Sequence, residues 1–461
     1  MKKILTYMTL MAAVLLTACS DDDIAKSSSV TDSLDKYAVT GTMANVAIFE
    51  EGIGDDDVLS SKSQLYYDRV NKKMKFTWVK STDHIGIYAK ANSETQMDYK
   101  LDPDQDLNVY ESSVTGVFVR NDGGASTITG GTLYYSYFPY KAASIETGPF
   151  TYENIPISYR GQVQATNEQM NRYWQAGGDK DKFLESEKAA AAHLGDYTYF
   201  ISDATATAGN HVHFNYSYVG SIVRFYMACP SHASDDIYYD SLQVYNSQAN
   251  FTLDATMNLA TKEVTPTKTS HVMSLGFHPA IDMTNDSDDS KDTYHYWDQE
   301  STAPKTGYIM AYMMVSPVNL KDLTEQSTLY LIGRKPSYYT WEEYKEAKSS
   351  EILEGEFNAL PKIDKMKIYE TMEAYNAAVN PDVDAVTWGA MTNVDKMKDY
   401  ERKVYKKSNM SKLNFLAGKH HQWAAADAGP DSPITFEGIT IQEWAEGPGF
   451  TNEDGTGTGD W

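Results

Sequence analysis

Short apolar runs that alternate with polar residues recur along this chain, and they constrain its fold more than any other feature. Lys75-Phe76-Thr77-Trp78-Val79 is one such run. A repeat of two sends successive side chains to opposite faces of a strand, which a helix cannot reproduce. Similar strand candidates lie at Val39 to Phe49, Ile85 to Tyr88, Val114 to Val119, Leu133 to Tyr140, His213 to Tyr216 and Val219 to Ala228. They continue at Ser241 to Tyr245, Phe251 to Leu253, Val272 to Phe277, Tyr308 to Val315 and Leu329 to Ile332, and a terminal strand pair is expected at Ile434 to Trp444. Turn residues such as Gly123-Gly124 and Gly130-Gly131 separate them. Many short strands broken by turns predict a mainly β chain built of sandwiches.

Helical spacing is confined to a few places. Asn167 to Leu194 is the main helical candidate. Trp341, Tyr344, Ala347 and Lys348 begin a helical insertion over 337–380, which Glu354 to Ile363 interrupts with Gly and Pro. Met391 to Tyr405 reads as a short helix or an exposed hairpin, and 445–461 as a Gly-rich acidic tail. No fixed-period repeat is visible, which disfavours solenoids and propellers.

The length of 461 residues allows two or three domains. With 40 Lys+Arg against 64 Asp+Glu the formal charge is −24, so nucleic-acid phosphates would be repelled and a nucleic-acid partner is not expected. The chain has 34 tyrosines against 15 phenylalanines, and tyrosine favours strands with one wet end. There are only two cysteines, Cys19 and Cys229.

The first of them ends a leader-like segment. Met1-Lys2-Lys3 is basic, and Ile4 to Leu16 is apolar but shorter than the roughly 20 residues a membrane helix needs. Leu16-Thr17-Ala18 then precede Cys19, a pattern that closely resembles a bacterial lipoprotein signal. The resemblance implies a signal peptide over 1–18, lipid on the Cys19 thiol, and Cys19 as the first mature residue. Ser20-Asp21-Asp22-Asp23 resembles the acidic tag that sends Bacteroidetes lipoproteins to the outer face of the outer membrane. Residues 19–36 read as a polar tether. With Cys19 lipidated, Cys229 has no intrachain disulfide partner, and it reads as a small buried hydrophobe.

Several motifs together resemble a known family. Phe76-Thr77-Trp78 with Asp83-His84-Ile85-Gly86-Ile87-Tyr88 is similar to a Phe-x-Trp strand followed by Gly-Asp-x-Ile-Gly-Val-Tyr. Tyr134 to Tyr140 is similar to a Tyr-Ala-Tyr-Tyr-Pro-Tyr strand. Ile155-Pro156 with Gln162 and Gln164, Phe214 to Phe225, and Ile439 to Gly447 follow in the family's order. The family is the fimbrillins, the type V pilins of Bacteroidetes and their lipoprotein relatives. The resemblance implies two transthyretin-like β-sandwich domains, placed here at 37–207 and 208–461, with the helical insertion around 337–407 in the second. It also implies trimming after a basic residue, loss of a first strand, and filling of the vacated groove by a strand of the next subunit. Val39 to Phe49 would be the removable strand, Lys62 and Arg69 the candidate processing sites, and Ile434, Phe436, Ile439, Ile441 and Trp444 the donor strand. Gly438 shifts the phase of that last stretch by one, as a bulge between two segments would.

No constellation for catalysis stands out, so the chain reads as a non-enzyme without cofactor or metal. Asp102-x-Asp104-x-Asp106 opens like a calcium loop but has Leu107 and Ser113 where the loop needs Gly and Glu. Asp286 to Asp292 lacks ligand order. His211-x-His213 and His420-His421 lack further ligands at zinc spacing. Gly455-x-Gly457-x-Gly459 lacks the lysine of a phosphate loop.

Two functions follow. The first is a structural surface lipoprotein: a fimbrillin-like pilus subunit, or an accessory, anchor or tip subunit, assembling by strand exchange with itself or other pilins and adhering to host or bacterial surfaces. The second is a glycan-binding surface lipoprotein of a polysaccharide-uptake system, with Tyr296-Trp297 or Tyr338, Tyr339 and Trp341 as sugar platforms.

Overall fold

The structure is a computed structural model and describes residues 38–44, 46–49, 64–68, 73–79, 83–102, 113–144, 149–165, 191–228, 237–282, 308–410, 414–417, 419–427 and 434–443. The expected signal peptide over 1–18 and expected tether over 19–36, Cys229 and most of the 167–194 helical candidate lie outside them. Of that candidate the described end, Ala192–Tyr197, is a 3-10 helix.

Strands dominate, as the alternation predicts. The largest sheet has eight strands. In order they are β12 (Val212–Asn215), β1 (Val39–Ala44), β7 (Ser113–Arg120), β6 (Gln96–Leu101), β5 (His84–Ala89), β8 (Leu133–Phe138), β11 (Phe200–Thr205) and β13 (Ser217–Tyr218). Its middle is buried on both faces, which is why β5 and β8 read as nearly continuous apolar runs. One face carries tyrosines: the Tyr137 ring lies over Gly86, where a Cβ would meet it at 2.1 Å, and Tyr135 packs on Tyr152 at 4.8 Å. On the other face Trp78 is fully buried, edge-on to Phe118 at 5.4 Å and Phe138 at 5.1 Å.

Trp78 comes from β4 (Lys73–Val79), the centre of a three-stranded sheet. Its neighbours there are β2 (Val46–Phe49), parallel, and β3 (Gln64–Asp68), antiparallel. The stretch 39–49 therefore serves two sheets, β1 in the large one and β2 in the small one. Another three-stranded sheet holds β17 (Val264–Ser270), β16 (Phe251–Met257) and β9 (Ile155–Ser158).

Two further sheets face each other as a sandwich. One is β10 (Gln162–Ala165), β18 (Val272–Asp282), β15 (Tyr238–Tyr245), β20 (Thr328–Lys335) and β21 (Glu401–Asn409). Its partner is β19 (Tyr308–Val315), β14 (Ser221–Ala228), β22 (Lys419–Asp427) and β23 (Ile434–Glu443). Val223, Phe225, Met313 and Val315 meet Leu242, Val244, Leu275 and Leu331 between them. The alternate residues Ile222, Tyr312 and Met314 turn the other way and join the N-terminal core. Period-two alternation thus feeds two cores from one sheet. Hydrogen bonding also crosses position 207 both ways, because β12 and β13 join the first sheet while β9 and β10 pair with β16 and β18.

The insertion lies between β20 and β21. It holds α1 (Trp341–Lys348), α2 (Glu354–Ala359), α3 (Met372–Ala378) and α4 (Ala385–Ala390). A capping box starts α1: Thr340 Oγ1 accepts from Glu343 N at 3.3 Å, and Glu343 accepts from Thr340 N at 2.8 Å. Three readings need correction. Glu354 to Ile363 does not simply break the helix; Glu354–Ala359 is itself helical, with Glu356 accepting from Leu353 N at 3.0 Å. The 391–405 stretch contributes no helix, and its end enters β21. Residues 434–443 form one strand, not a pair, because a single extra residue is absorbed between Phe436 and Gly438 without breaking the ladder to β22.

Candidate functional site: the strand 39–49 and the sheet edges

β1 is an interior strand contributed by the very start of the described chain. It runs antiparallel to β7, with Thr40 opposite Val117 and Gly41 opposite Gly116. On its other side it runs parallel to β12, Val39 opposite Val212 and Gly41 opposite Phe214. A parallel pair cannot be closed by a hairpin, so this contact joins segments far apart in sequence. The Val212 amide donates to Ala38 O at 2.9 Å, and Thr40 Oγ1 lies 2.8 Å from His213 Nδ1.

Side-chain fit is tight on the core face. Val39 is fully buried, and Gly41 is buried beneath aromatic rings. A Cβ on Gly41 would meet Tyr216 Cε2 at 2.7 Å and Phe118 Cε2 at 3.3 Å. A Cβ on its partner Gly116 would meet Leu101 Cδ1 at 2.9 Å. Tyr216 is pinned by a 2.7 Å hydrogen bond between its hydroxyl and Ser136 Oγ. Two facing glycines therefore open the space that the rings fill. Taking away β1 would leave a slot one strand wide between β7 and β12, lined by main-chain groups that need new partners.

The terminal strand is an edge. β23 pairs antiparallel with β22, placing Ile434 opposite Asp427, Phe436 opposite Ala425, Ile439 opposite Trp423 and Ile441 opposite His421. Trp444, Cys19, Ser20, Asp21, Asp22, Asp23, Lys62 and Arg69 lie outside the described residues. So do Tyr296 and Trp297.

The remaining aromatic platform is already occupied. Tyr339 is buried and meets Tyr344 edge-on at 6.0 Å. Trp341 donates its indole N–H to Ile352 O at 2.9 Å, and the Lys345 ammonium sits 4.0 Å from its ring centroid. Tyr338 forms a bridge to Met366. The base of the insertion is held by Asp240, whose two carboxylate oxygens accept from Arg402 Nε at 2.9 Å and Nη2 at 3.0 Å, with Arg334 Nε at 3.4 Å. This fork raises the Arg402 pKa through hydrogen bonding to the carboxylate.

Sequence reasoning missed the role of Gln162 and Gln164, which it quoted only as part of a family pattern. Both are buried. The Met314 amide donates to Gln162 Oε1 at 2.7 Å, while Gln162 Nε2 donates to Met314 O at 2.6 Å. The Tyr312 amide donates to Gln164 Oε1 at 2.9 Å. Two glutamines spaced by one residue on a strand, with an exposed Val163 between them, was the available signal.

Among the described residues no group of three or more His, Cys, Asp or Glu could hold a metal ion, and no helix is long and apolar enough to cross a membrane.

No family model matches the chain, and no curated protein matches it. Solved structures do. A putative cell adhesion protein from Bacteroides ovatus is 12% identical, with 88% of this chain and 97% of that chain covered at a TM-score of 0.41. A fimbrial protein from Bacteroides vulgatus is 8% identical, covering 87% and 99% at 0.30. A fimbrial assembly protein from Parabacteroides distasonis is 6% identical, covering 88% and 98% at 0.28.

Proposed function

We propose that this chain is a structural protein of the bacterial surface, a fimbrillin-like pilus subunit or an accessory, anchor or tip subunit, that assembles by β-strand exchange. One observation carries the reading: β1, near the start of the chain, is an interior strand held parallel to β12 and antiparallel to β7. Its loss would leave a groove with two unpaired edges and a floor shaped by Gly116, Phe118 and Tyr216. Such a groove recognises an extended strand through main-chain hydrogen bonds and selects it by alternate side chains. A cut after Lys62 would detach β1 and β2, and a cut after Arg69 would detach β3 as well. β23, an edge strand, is the candidate donor. Lipid on Cys19 would hold the untrimmed chain at the outer membrane, and trimming would free it into a fimbrium.

The test is N-terminal sequencing of the surface form together with electron microscopy of cells lacking residues 434–461. A mature start after Lys62 or Arg69 and loss of fibres support exchange. Fibres that persist in the deletion strain overturn it. A retained Cys19 assigns the chain to an anchor or solitary role.

The sugar-binding reading gains no support from Tyr338, Tyr339 and Trp341, whose rings are engaged in packing and under a lysine.

A further inference from the structure

β19 is the edge of its four-stranded sheet, and an edge normally presents unpaired N–H and C=O groups to any passing strand. Here the outward groups of two successive outward-facing residues are all taken. Met314 N and O are held by the two ends of one Gln162 amide. Tyr312 N is held by Gln164, and His193 Nε2 lies 3.0 Å from Tyr312 O. A carbonyl can only accept, so His193 carries its hydrogen on Nε2. A primary amide has the donor and acceptor of a peptide unit, and the pairing at Met314 reproduces the two-point contact of a neighbouring antiparallel residue. The glutamines can reach because β10 runs as the last strand of the facing sheet, parallel to β18, and alternation turns both toward β19 while Val163 faces solvent.

We infer that Gln162, Gln164 and His193 fill a latent strand-addition site on β19, and so keep the chain from polymerising with a second copy through its C-terminal sheet. The partner is a second copy because β19 and β23 are opposite edges of one sheet. Joining β19 of one molecule to β23 of the next is a head-to-tail contact that does not close, and it would extend one sheet without limit. The clamp confines strand addition to other edges. It acts whether or not β1 is exchanged, and the test keeps β1 in place.

The full chain carrying Cys19→Ser, so that no lipid drives association, is compared with and without Gln162→Ala/Gln164→Ala by light scattering over a concentration series. The doubly substituted chain is expected to form concentration-dependent oligomers. Adding Met314→Pro, which removes an N–H on the outer side of an edge strand, is expected to restore the monomer. A folded double variant that stays monomeric overturns the proposal, as do oligomers that survive Met314→Pro. Should the double variant fail to fold, hydrogen exchange on the chain with native glutamines decides. The Tyr312 and Met314 amides are expected to exchange as slowly as those of Ala311 and Met313. Exchange at the rate of an open edge overturns the proposal.

Discussion

The hydroxyl of Thr40 lies 2.8 Å from Nδ1 of His213, and the two residues are register partners in the parallel pair of β1 with β12. Thr40 is 4% exposed, so its hydroxyl has little access to water as an alternative partner. The contact ties the first described strand to a segment 173 residues away.

Thr40→Val keeps the shape and removes the hydroxyl. It is expected to lower stability by about 1 kcal/mol, the usual worth of such a bond. His213→Ala should cost a similar amount, and the two together less than their sum, since both remove one interaction. Urea unfolding of the three variants checks this.

Gly41 leaves no room for a side chain. A side chain there would drive into Tyr216 and Phe118, whose rings are buried. Gly41→Val in the full chain is expected to cost about 1–3 kcal/mol through overpacking. In a chain from which 1–69 has been cut, a synthetic peptide of residues 38–49 should bind, and the same peptide with Gly41→Val should bind at least about tenfold more weakly, the equivalent of about 1.4 kcal/mol. Equal binding of the two peptides, measured by calorimetry, would show that the slot does not select at this position.

Alkaline pH should unfold the protein early. Burial pushes the Tyr199 hydroxyl up to about 12 from 10.0, and burial also raises Tyr159 and Tyr216. A folded chain that keeps these protons binds more of them than the unfolded chain once the pH passes the ordinary tyrosine range. Stability is therefore full below pH 10.0 and falls as pH rises toward 12, by about 2–3 kcal/mol from Tyr199 alone. Urea midpoints between pH 8 and pH 11 should stay level and then drop.

Asp240 supports the insertion. Its carboxylate is 15% exposed and accepts from Arg402 on both oxygens, with Arg334 beside it. Asp240→Ala leaves two guanidinium groups without their anion and is expected to cost about 1–3 kcal/mol, because the site is only partly buried. Limited proteolysis should then cut within 337–399 sooner than in the parent chain. Unchanged cleavage kinetics would assign the anchoring to the small apolar cluster of Tyr238, Met366, Val394 and Met397.

Alternation made many strands legible. Phe76 and Trp78 follow the pleat's repeat of two, whereas Ile85 to Tyr88, Leu133 to Phe138 and Tyr308 to Val315 are legible as short, nearly continuous apolar runs of strand length. The insertion was readable from helical spacing at Trp341, Tyr344 and Lys348, though the sequence hid α2, where Gly355 looked like a break and Glu356 capped the turn instead. The phase shift expected at Gly438 is present, but its extra residue is Glu437 and it falls within one strand. The proposed strand exchange rests on the resemblance for its donor, and the interior position of β1 emerged only with the fold.

By itself the sequence determined that the chain is mainly β, that a helical insertion interrupts that pattern from about 337, though its expected end at 407 runs into β21, and that Trp78 and Phe214 belong to apolar strand faces. Those are local properties, set by the period of side chains along one segment. Only the tertiary structure decided that β1 lies between β7 and β12, that Thr40 meets His213, and that Gln162 and Gln164 stand in for a missing strand on β19. A strand's side-chain pattern says which face is apolar, but its main-chain groups are the same in every residue. Which edge they pair with is settled by the packing of segments distant in sequence, and no local pattern encodes it.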